Sequence, residues 1–215
     1  MSLILLIRHG ETDFVKEGKL AGRIPKVHLN EKGQREAIDI AKALEEIPIS
    51  AIYSSPMERT IETAEPIAKV KEIKINPVEE LLETDIGEWK GQELKKVGKL
   101  PEWKIVQNSP SRFRFPGGES FQEEQTRLIG ALEKINDQHK PNDLVVIVSH
   151  ADPIKLIISY YLGMPLDHFQ RLACSTGSLS IIKLDKGGAA LLGLNLKPPY
   201  KFPVRKKEEG KKKKG

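Results

Sequence analysis

The stretch LILLIRHGET, residues 3–12, joins an apolar run to a cluster of polar residues. A short, continuous apolar run such as Leu3–Ile7 is typical of a β-strand that is buried on both faces. Strands of that kind belong to parallel sheets covered by helices on both sides, so the stretch predicts an α/β protein. Arg8, His9 and Gly10 follow directly, at the carboxyl end of the predicted strand.

Two more apolar runs end in the same way. Ala51–Tyr53 precedes a polar loop and Arg59, and Leu144–Val148 precedes Ser149 and His150. The carboxyl ends of parallel strands share one edge of a sheet, where open α/β proteins bind their ligands. If the three strands are parallel, two arginines and two histidines converge on one crevice.

Arginines and histidines gathered in one crevice suit a phosphate ester. The guanidinium fork matches phosphate oxygens, and helix N-termini after Ser55 and near Asp152 add backbone N–H groups. A histidine held among these groups can act as the nucleophile and form a phosphohistidine. Since arginine and histidine supply positive charge, we expect a reaction without a metal ion, and we expect no cofactor.

The residues after the second strand predict a helix start. Ser55 can cap the helix, Pro56 suits its first position, and Glu58 completes a capping box. Arg59 then falls in the first turn, where the helix dipole disfavours a cation unless an anion binds there. A solvated surface arginine is the plain alternative.

The oxygen that leaves the phosphorus also needs a proton. A carboxylic acid with a raised pKa can supply it and then activate water as a base. The candidates near a turn are Glu79, Glu80, Glu83, Asp85 and Glu88. Their spacing alone leaves all of them open.

Strands and helices alternate along the rest of the chain. The patterns predict a helix over Glu31–Ile47, a strand over Ile73–Ile75, helices from Ser120 to Asp137 and from Asp152 to Gly163, and a hairpin of Ser178–Leu184 with Ala189–Asn195. Gly91–Phe115 is expected to be irregular, apart from a short helix near Gln92–Val97. We therefore expect a three-layer α/β/α sandwich with a mainly parallel, mixed sheet.

The composition is that of an ordinary globular domain. The chain has 215 residues, of which 39% are hydrophobic and 30% charged. Cys174 is the only cysteine, so it forms no internal disulfide, and this favours a reducing, cytoplasmic location. The apolar start has no basic region of a signal peptide, and charged residues interrupt Leu144–Leu162, so we expect no membrane span.

The net charge of +5 is concentrated at one end of the chain. Residues 201–215 contain eight Lys or Arg and two Glu, a charge of +6, which leaves −1 for the rest. We expect a catalytic domain over residues 1–197 and a basic, disordered tail over residues 198–215. The tail could bind nucleic acid through its charge, but a solvated end is the simpler interpretation.

Residues 8–12 resemble the R-H-G signature of the histidine phosphatase superfamily, also called phosphoglycerate mutase-like. The similarity extends over roughly residues 3–195: residues 54–64 match S-S-P-x-x-R-x-x-x-T-A, residues 83–91 match E-x-x-x-G-x-W-x-G, and Pro116–Ser120 is also a familiar segment. The resemblance implies that His9 is phosphorylated and that Arg8, Arg59 and His150 complete the phosphate pocket. It also implies that Glu83 is the proton donor.

The sequence departs from the family pattern in informative places. Val15 stands where many members have Asn, and Ala151 replaces the Gly of S-H-G. The substrate-binding insertion of cofactor-dependent mutases is not recognisable between Gly91 and Pro116. Residues 18–25 look like a small prokaryotic phosphatase branch, so Gly22, Arg23 and Ala151 are expected to bind substrate.

The expected function is metal-independent hydrolysis of a small phosphomonoester through a phosphohistidine on His9. One alternative is a phosphoglycerate mutase-type phosphotransferase, and another is a phosphate-binding module with low turnover. A nucleic-acid-associated protein that acts through its tail is a third. Sugar phosphates, phosphoglycerates, nucleotides and cobalamin precursors all stay open as substrates, and the sequence does not indicate an oligomeric state.

Overall fold

A single six-stranded sheet runs through the computed structural model, which describes residues 2–185 and 187–200. Along the chain its strands are β1 (Ser2–Arg8), β2 (Ala51–Ser54), β3 (Ile75–Pro77), β4 (Leu144–Ser149), β5 (Leu179–Asp185) and β6 (Gly188–Leu196). In space their order is β3-β2-β4-β1-β5-β6. The four strands from β3 to β1 are parallel, and β5 and β6 are antiparallel to their neighbours, so the mixed sheet is confirmed.

Helices cover both faces of this sheet. They are α1 (Asp13–Lys16), α2 (Glu31–Ala43), α3 (Glu58–Lys71), α4 (Leu94–Val97), α5 (Pro101–Asn108), α6 (Phe121–Asp137) and α7 (Ala151–Tyr161). Helices α2 and α3 pack on one face around Leu5, Ile40 and Ile67, whereas α6 and α7 pack on the other around Leu6 and Leu132. The predicted three-layer sandwich is therefore confirmed.

Two predicted element boundaries were wrong, for local reasons. Helix α2 ends at Ala43 rather than Ile47, because the chain turns after Leu44 and brings Ile49 into the core. Strand β3 begins at Ile75 rather than Ile73, because Ile73 still belongs to the end of α3. The amide N of Ile73 donates to the carbonyl of Ala68, and the preceding residue, Glu72, has a left-handed backbone conformation.

The segment between Gly91 and Phe115 is more regular than predicted. It contains α4 and a second helix, α5, which starts at Pro101 and buries Val106. Trp89, Phe113 and Phe115 stack against each other with ring centroids 5.0–5.5 Å apart, and Trp103 lies beside them. These aromatic rings pack the segment onto the α6–α7 face of the core.

The carboxyl end of the described chain lies on the opposite face. Tyr200 packs against the core beneath α2 and α3. Of the tail predicted over residues 198–215, the structure describes residues 198–200, and residues 201–215 lie outside the described residues; the disorder of the tail and the domain boundary at residue 197 stay predictions. Within residues 2–185 and 187–200, no helix combines the length and apolar character that a bilayer span requires.

Candidate active site

The two histidines come from neighbouring parallel strands at the centre of the sheet. Arg8 of β1 lies opposite Ser149 of β4, so the next residue of each strand, His9 and His150, leaves the sheet at the same edge. Their ring centroids are 5.3 Å apart at an interplanar angle of 66°. The convergence that the strand ends predict is therefore present in the structure.

A cavity of about 190 Å³ opens at this edge. Its wall contains Arg8, His9, Arg59, Glu83, Gly22 and Ala151, together with Thr12, Val15, Lys19, Leu20, Ala21, Thr84, Ile86 and Asp152. Of the carboxylates that spacing left open, Glu83 is the one in this wall; Asp85 pairs instead with Lys90, at 3.0 Å. The carboxylate that lies in the wall is thus the one that the family resemblance implies as proton donor.

His9 is held in one tautomer. Its Nδ1 lies 2.7 Å from the carbonyl oxygen of Gly10, which can only accept, so Nδ1 carries the proton and Nε2 keeps a free lone pair. The side chain is 3% exposed. Burial, followed by the positive charges of Arg59 and Arg8, holds the pKa of His9 well below its ordinary value. The imidazole is therefore neutral and nucleophilic at physiological pH.

Gly10 is needed for close packing of the backbone after β1 against α2. A Cβ on Gly10 would lie 2.5 Å from the carbonyl oxygen of Gly33. The amide N of Gly10 also donates to the hydroxyl of Thr63, which fixes the carbonyl that orients His9.

His150 is fully buried behind His9. Its Nε2 lies 2.9 Å from Ser55 Oγ, and its Nδ1 lies 3.8 Å from Glu83 Oε2. Burial and the charge of Arg59 lower its pKa well below the ordinary value. His150 thus presents Nε2 to Ser55 and Nδ1 to Glu83.

The predicted role of Ser55 as a helix cap is wrong. Helix α3 starts at Glu58 and its N-cap is Met57, which makes no side-chain capping bond. The Ser55 hydroxyl is instead engaged with His150, so the predicted capping box does not form. The serine lies next to the strand end that carries the site, and this adjacency is the signal in the sequence that could have indicated its contact.

Both arginines are anchored through backbone carbonyls. Arg59 is 1% exposed and donates from Nη2 to the carbonyl of Gly22, at 2.7 Å. Arg8 donates from Nη1 to the carbonyl of Cys174, at 2.7 Å. Burial lowers the pKa of Arg59. Gly22, which we expected to bind substrate, lies in the cavity wall and also orients this arginine.

Glu83 lies opposite the histidines with 20% of its side chain exposed. Its pKa is raised, first because the carboxyl is desolvated and then because the negative charge of Asp152 lies nearby; Arg59 and Arg8 lower it only in part. A carboxyl group with a raised pKa can hold a proton and donate it near neutral pH. Asp152, which sequence reasoning treated only as part of a helix start, is therefore part of the electrostatics of the site.

Arg23, which we expected to bind substrate, is not among the residues of the cavity wall. Its Nε donates to the backbone carbonyl of Glu83 and its Nη2 to Glu119, each at 2.7 Å. Ala151 does line the cavity, as the first residue of α7. Sequence reasoning missed Thr84, a wall residue that is 2% exposed, because a threonine in a loop carries no distinguishing pattern.

The donor set suits an anion better than a metal ion. His9, Glu83 and His150 place ligand atoms within 4.8 Å of one another, a set that could hold a metal by residue type. Arg8 and Arg59 lie beside it, however, and their charges oppose a cation. Within the described residues, Arg8 Nε, Arg59 Nη1, His150 Nδ1 and Thr84 Oγ1 are buried without a hydrogen-bond partner. Buried donors of this kind call for a multivalent acceptor such as phosphate.

Together, the fold and the site define a phosphate-ester enzyme with a histidine at its centre. The chain belongs to the histidine phosphatase superfamily (branch 1), whose family model matches residues 4–197. The family resemblance seen in residues 8–12 is thus confirmed, and the protein is an enzyme of the histidine phosphatase class.

Curated relatives include both a phosphatase and a mutase. The chain is 32% identical over 198 residues to phosphoserine phosphatase 1 of Hydrogenobacter thermophilus, and the aligned region covers 91% of this chain and 93% of the relative. It is 30% identical over 194 residues to the 2,3-bisphosphoglycerate-dependent phosphoglycerate mutase of Thermoplasma acidophilum, with coverage of 90% and 92%. Among solved structures, YhfR of Bacillus stearothermophilus matches with a TM-score of 0.83 and 29% identity, over 90% of this chain and 96% of that one.

Proposed function

We propose that this protein hydrolyses a small phosphomonoester without a metal ion, by transferring the phosphoryl group to Nε2 of His9 and then to water. The observation that carries the proposal is the lone pair of His9 Nε2 among buried donors that have no acceptor in the described residues. A phosphoryl group in front of this nitrogen would meet Arg8, Arg59 and His150 on its oxygens.

In the first half-reaction, His9 Nε2 attacks phosphorus while the bond to the ester oxygen breaks. Arg8, Arg59 and the Nδ1–H of His150 bind the phosphoryl oxygens and stabilise their charge in the transition state. The departing oxygen takes its proton from Glu83, so the product leaves as a neutral alcohol and Glu83 is left as a carboxylate. The Gly10 carbonyl stabilises the positive charge that develops on the imidazole, because it accepts from Nδ1 at 2.7 Å.

In the second half-reaction, the Glu83 carboxylate removes a proton from a water molecule as that water attacks the phosphohistidine. The N–P bond breaks, inorganic phosphate leaves, and both His9 and Glu83 return to their starting protonation states. General acid–base catalysis of this kind contributes roughly 10²–10⁴-fold to such steps. The raised pKa of Glu83 supports its role in both directions.

The hydroxyl of Ser55 supports the role given to His150. If this hydroxyl donates to Nε2, the proton of the neutral imidazole is on Nδ1, where it is available to a phosphoryl oxygen. The substrate-binding roles proposed for Gly22 and Ala151 rest on their positions in the cavity wall. The substrate-binding role expected for Arg23 stays a prediction; in the structure this arginine donates to the carbonyl of Glu83 and to Glu119.

The cavity favours a small phosphorylated metabolite. Its volume of about 190 Å³ is below that of typical sites for drug-sized ligands, which span roughly 300–1,000 Å³. Beyond the groups assigned to the phosphoryl transfer, the wall offers Lys19 and Asp152, of opposite charge, next to apolar residues such as Leu20. Phosphoserine and phosphoglycerate, the molecules named for the two relatives, are therefore the first substrates to test. A cytoplasmic location is also proposed, on the basis of the single cysteine.

A mutase is the second candidate, favoured by the 30% identity to the phosphoglycerate mutase. A mutase must return the phosphoryl group from His9 to the substrate rather than to water. The absence of a recognisable insertion between Gly91 and Pro116, where α4 and α5 pack through aromatic rings, favours hydrolysis instead.

The experiment that tests the proposal is hydrolysis of p-nitrophenyl phosphate in the presence of EDTA. We expect turnover by the wild type, loss of turnover in His9→Ala, and trapping of an acid-labile phosphoenzyme only in proteins that retain His9. His28→Ala is the matched control, since this histidine is exposed and pairs with Glu62. Full activity of His9→Ala, or loss of wild-type activity in EDTA, would contradict the proposal. Isomerisation of phosphoglycerate faster than phosphate release would favour the mutase.

A further inference from the structure

The acid Glu83 lies on a segment that has little regular structure. It follows a single 3₁₀ turn at Glu79–Leu81 and precedes another at Gly87–Trp89. Its carboxyl accepts a hydrogen bond from the amide N of the neighbouring residue, Thr84, at 3.1 Å, a contact that does not tie it to another element of the fold. The location of the carboxyl therefore depends on how firmly the backbone around residue 83 is held.

Two arginines from distant parts of the chain hold that backbone. Arg127 of α6 donates from Nη1 to the carbonyl of Glu80 at 2.6 Å, and from Nη2 to the carbonyl of Glu83 at 3.3 Å. Arg23 donates from Nε to the same Glu83 carbonyl at 2.7 Å. Two guanidinium groups thus meet at the main-chain oxygen of the residue that carries the acid.

Glu119 links the two arginines. Its carboxylate accepts from Arg23 Nη2 at 2.7 Å, and from Arg127 Nη2 and Nε at 2.8 and 3.1 Å. It also accepts from the amide N of Asp85 at 2.8 Å, while its own amide N donates to the Asp85 carbonyl at 2.9 Å. We call Arg23, Glu119 and Arg127 the Glu119 clamp.

Gly118, in the turn before Glu119, lets this turn pack closely against the segment that carries Glu83. A Cβ on Gly118 would lie 2.1 Å from the carbonyl oxygen of Asp85 and 2.8 Å from the amide N of Gly87. Side chains of the clamp are only 15–25% exposed, so their charges are largely withdrawn from water. Charged groups in such places are retained at a free-energy cost, which a specific positioning role would justify.

We propose that the Glu119 clamp positions the Glu83 carboxyl for proton transfer to the leaving oxygen. The inference rests on the proposed function, because it needs Glu83 to be the acid. The three clamp side chains bind the backbone of the acid segment and one another, so they are positioning residues. Misplacement by about 1 Å is enough to reduce catalysis by roughly 10²-fold, and the bonds to the carbonyls of Glu80 and Glu83 are what prevents such a shift.

The test exploits the leaving group. A series of aryl phosphates, from phenyl to dinitrophenyl phosphate, keeps a similar shape while the need for a proton disappears. The quantity to measure is kcat/KM, which reports the steps up to phosphorylation of the enzyme. The variants are Glu119→Gln and Arg23→Met, with Glu83→Gln as the reference for a missing acid. Arg114→Met is the matched control, because Arg114 binds the Gly118 carbonyl and Glu123 from the exposed side of the same turn.

We expect Glu119→Gln and Arg23→Met to lower kcat/KM for phenyl phosphate by roughly 10–10²-fold, a part of what general acid catalysis contributes. For dinitrophenyl phosphate the loss should be less than about threefold, and this activity also shows that the variants are folded. Arg114→Met should behave like the wild type on both esters.

Two results would overturn the inference, and they are distinguishable. If Glu83→Gln loses activity selectively on phenyl phosphate but the clamp variants lose it equally on all esters, the acid assignment stands and the positioning role is wrong. If Glu83→Gln itself is not selective, Glu83 is not the acid, and the proposed mechanism and the role of the clamp fail together.

Discussion

Replacement of Arg59 by Met should weaken phosphate binding without unfolding the protein. The side chain is 1% exposed, its Nη2 is anchored on the Gly22 carbonyl, and its Nη1 has no partner among the described residues. Methionine fills a similar volume and removes the charge. Burial of a guanidinium group carries a desolvation penalty of roughly several kcal/mol. Removal of this penalty should offset the free energy lost with the hydrogen bond to Gly22. We expect the Tm of the ligand-free variant to match or exceed that of the wild type.

The size of the effect follows from the number of contacts. A charge-assisted hydrogen bond contributes about 1.5–3 kcal/mol, so loss of the Arg59 contact to phosphate should raise Kd by roughly 10–150-fold. At a phosphate concentration one hundred times the wild-type Kd, binding stabilises the wild type by about 2.7 kcal/mol. For a chain of 215 residues that corresponds to a rise in Tm of about 5–11 °C. At the same concentration binding should stabilise Arg59→Met by only about 0.3–1.4 kcal/mol, so its Tm should rise by about 1–6 °C, no more than about half of the wild-type rise.

The assay is thermal unfolding with and without inorganic phosphate, at ionic strength matched with chloride. Arg35→Met is the control, because that arginine is on the surface of α2 with a side chain that is 68% exposed. Its response to phosphate should equal that of the wild type. An Arg59→Met protein that shows the full phosphate-induced rise in Tm would refute the assignment of Arg59 to the phosphate pocket.

Three further predictions concern protonation, the buried histidine and the turn before Glu119. His9 acts as the neutral imidazole and its pKa is lowered, so kcat/KM should not fall as the pH is lowered through 6.5. Glu83 acts as the protonated acid and its pKa is raised, so kcat/KM should decline only at a pH above the ordinary range of carboxyl groups. This decline should be absent in Glu83→Gln. Ser55→Ala removes the partner of His150 Nε2 and should lower kcat/KM by about 2–15-fold, as expected for one neutral hydrogen bond, whereas Ser111→Ala should leave it unchanged. Gly118→Ala should destabilise the protein by about 1–3 kcal/mol, because its Cβ would clash with Asp85. Gly130→Ala on α6, where a Cβ meets nothing within 4 Å, should stabilise it by roughly 0.5–1 kcal/mol. Denaturant unfolding measures both free energies, and equal effects would contradict the turn geometry.

The features that sequence reasoning predicted are those that local patterns encode. Continuous apolar runs mark the buried strands β1 and β4, and parallel topology then brings the residues after them to one edge. Ser120 and Glu123 form the predicted capping box, because both partners lie within one helical turn. The helix that they open ends at Asp137, as predicted.

The features that it missed depend on contacts between distant segments. Ser55 has the sequence context of a helix cap, but it contacts His150, which lies 95 residues away in the chain. Arg23 was predicted to face the substrate, yet its partners are Glu83 and Glu119, 60 and 96 residues away. No periodic pattern records such pairs. The choice of Glu83 among neighbouring carboxylates likewise came from the family resemblance, since spacing in an irregular loop does not fix which side chain faces a cavity.

The central position of β1 has a consequence for how the enzyme acquires its activity. Among the described strands, β1 precedes the other five along the chain, but its two neighbours in the sheet are the fourth and fifth, β4 and β5. During translation it therefore has no pairing partner in the sheet until β4 has been synthesised. Parallel pairing between remote segments also folds slowly, because a long loop must close first. Since one histidine follows β1 and the other follows β4, the site assembles only after the chain between them has been made and the two strands have paired.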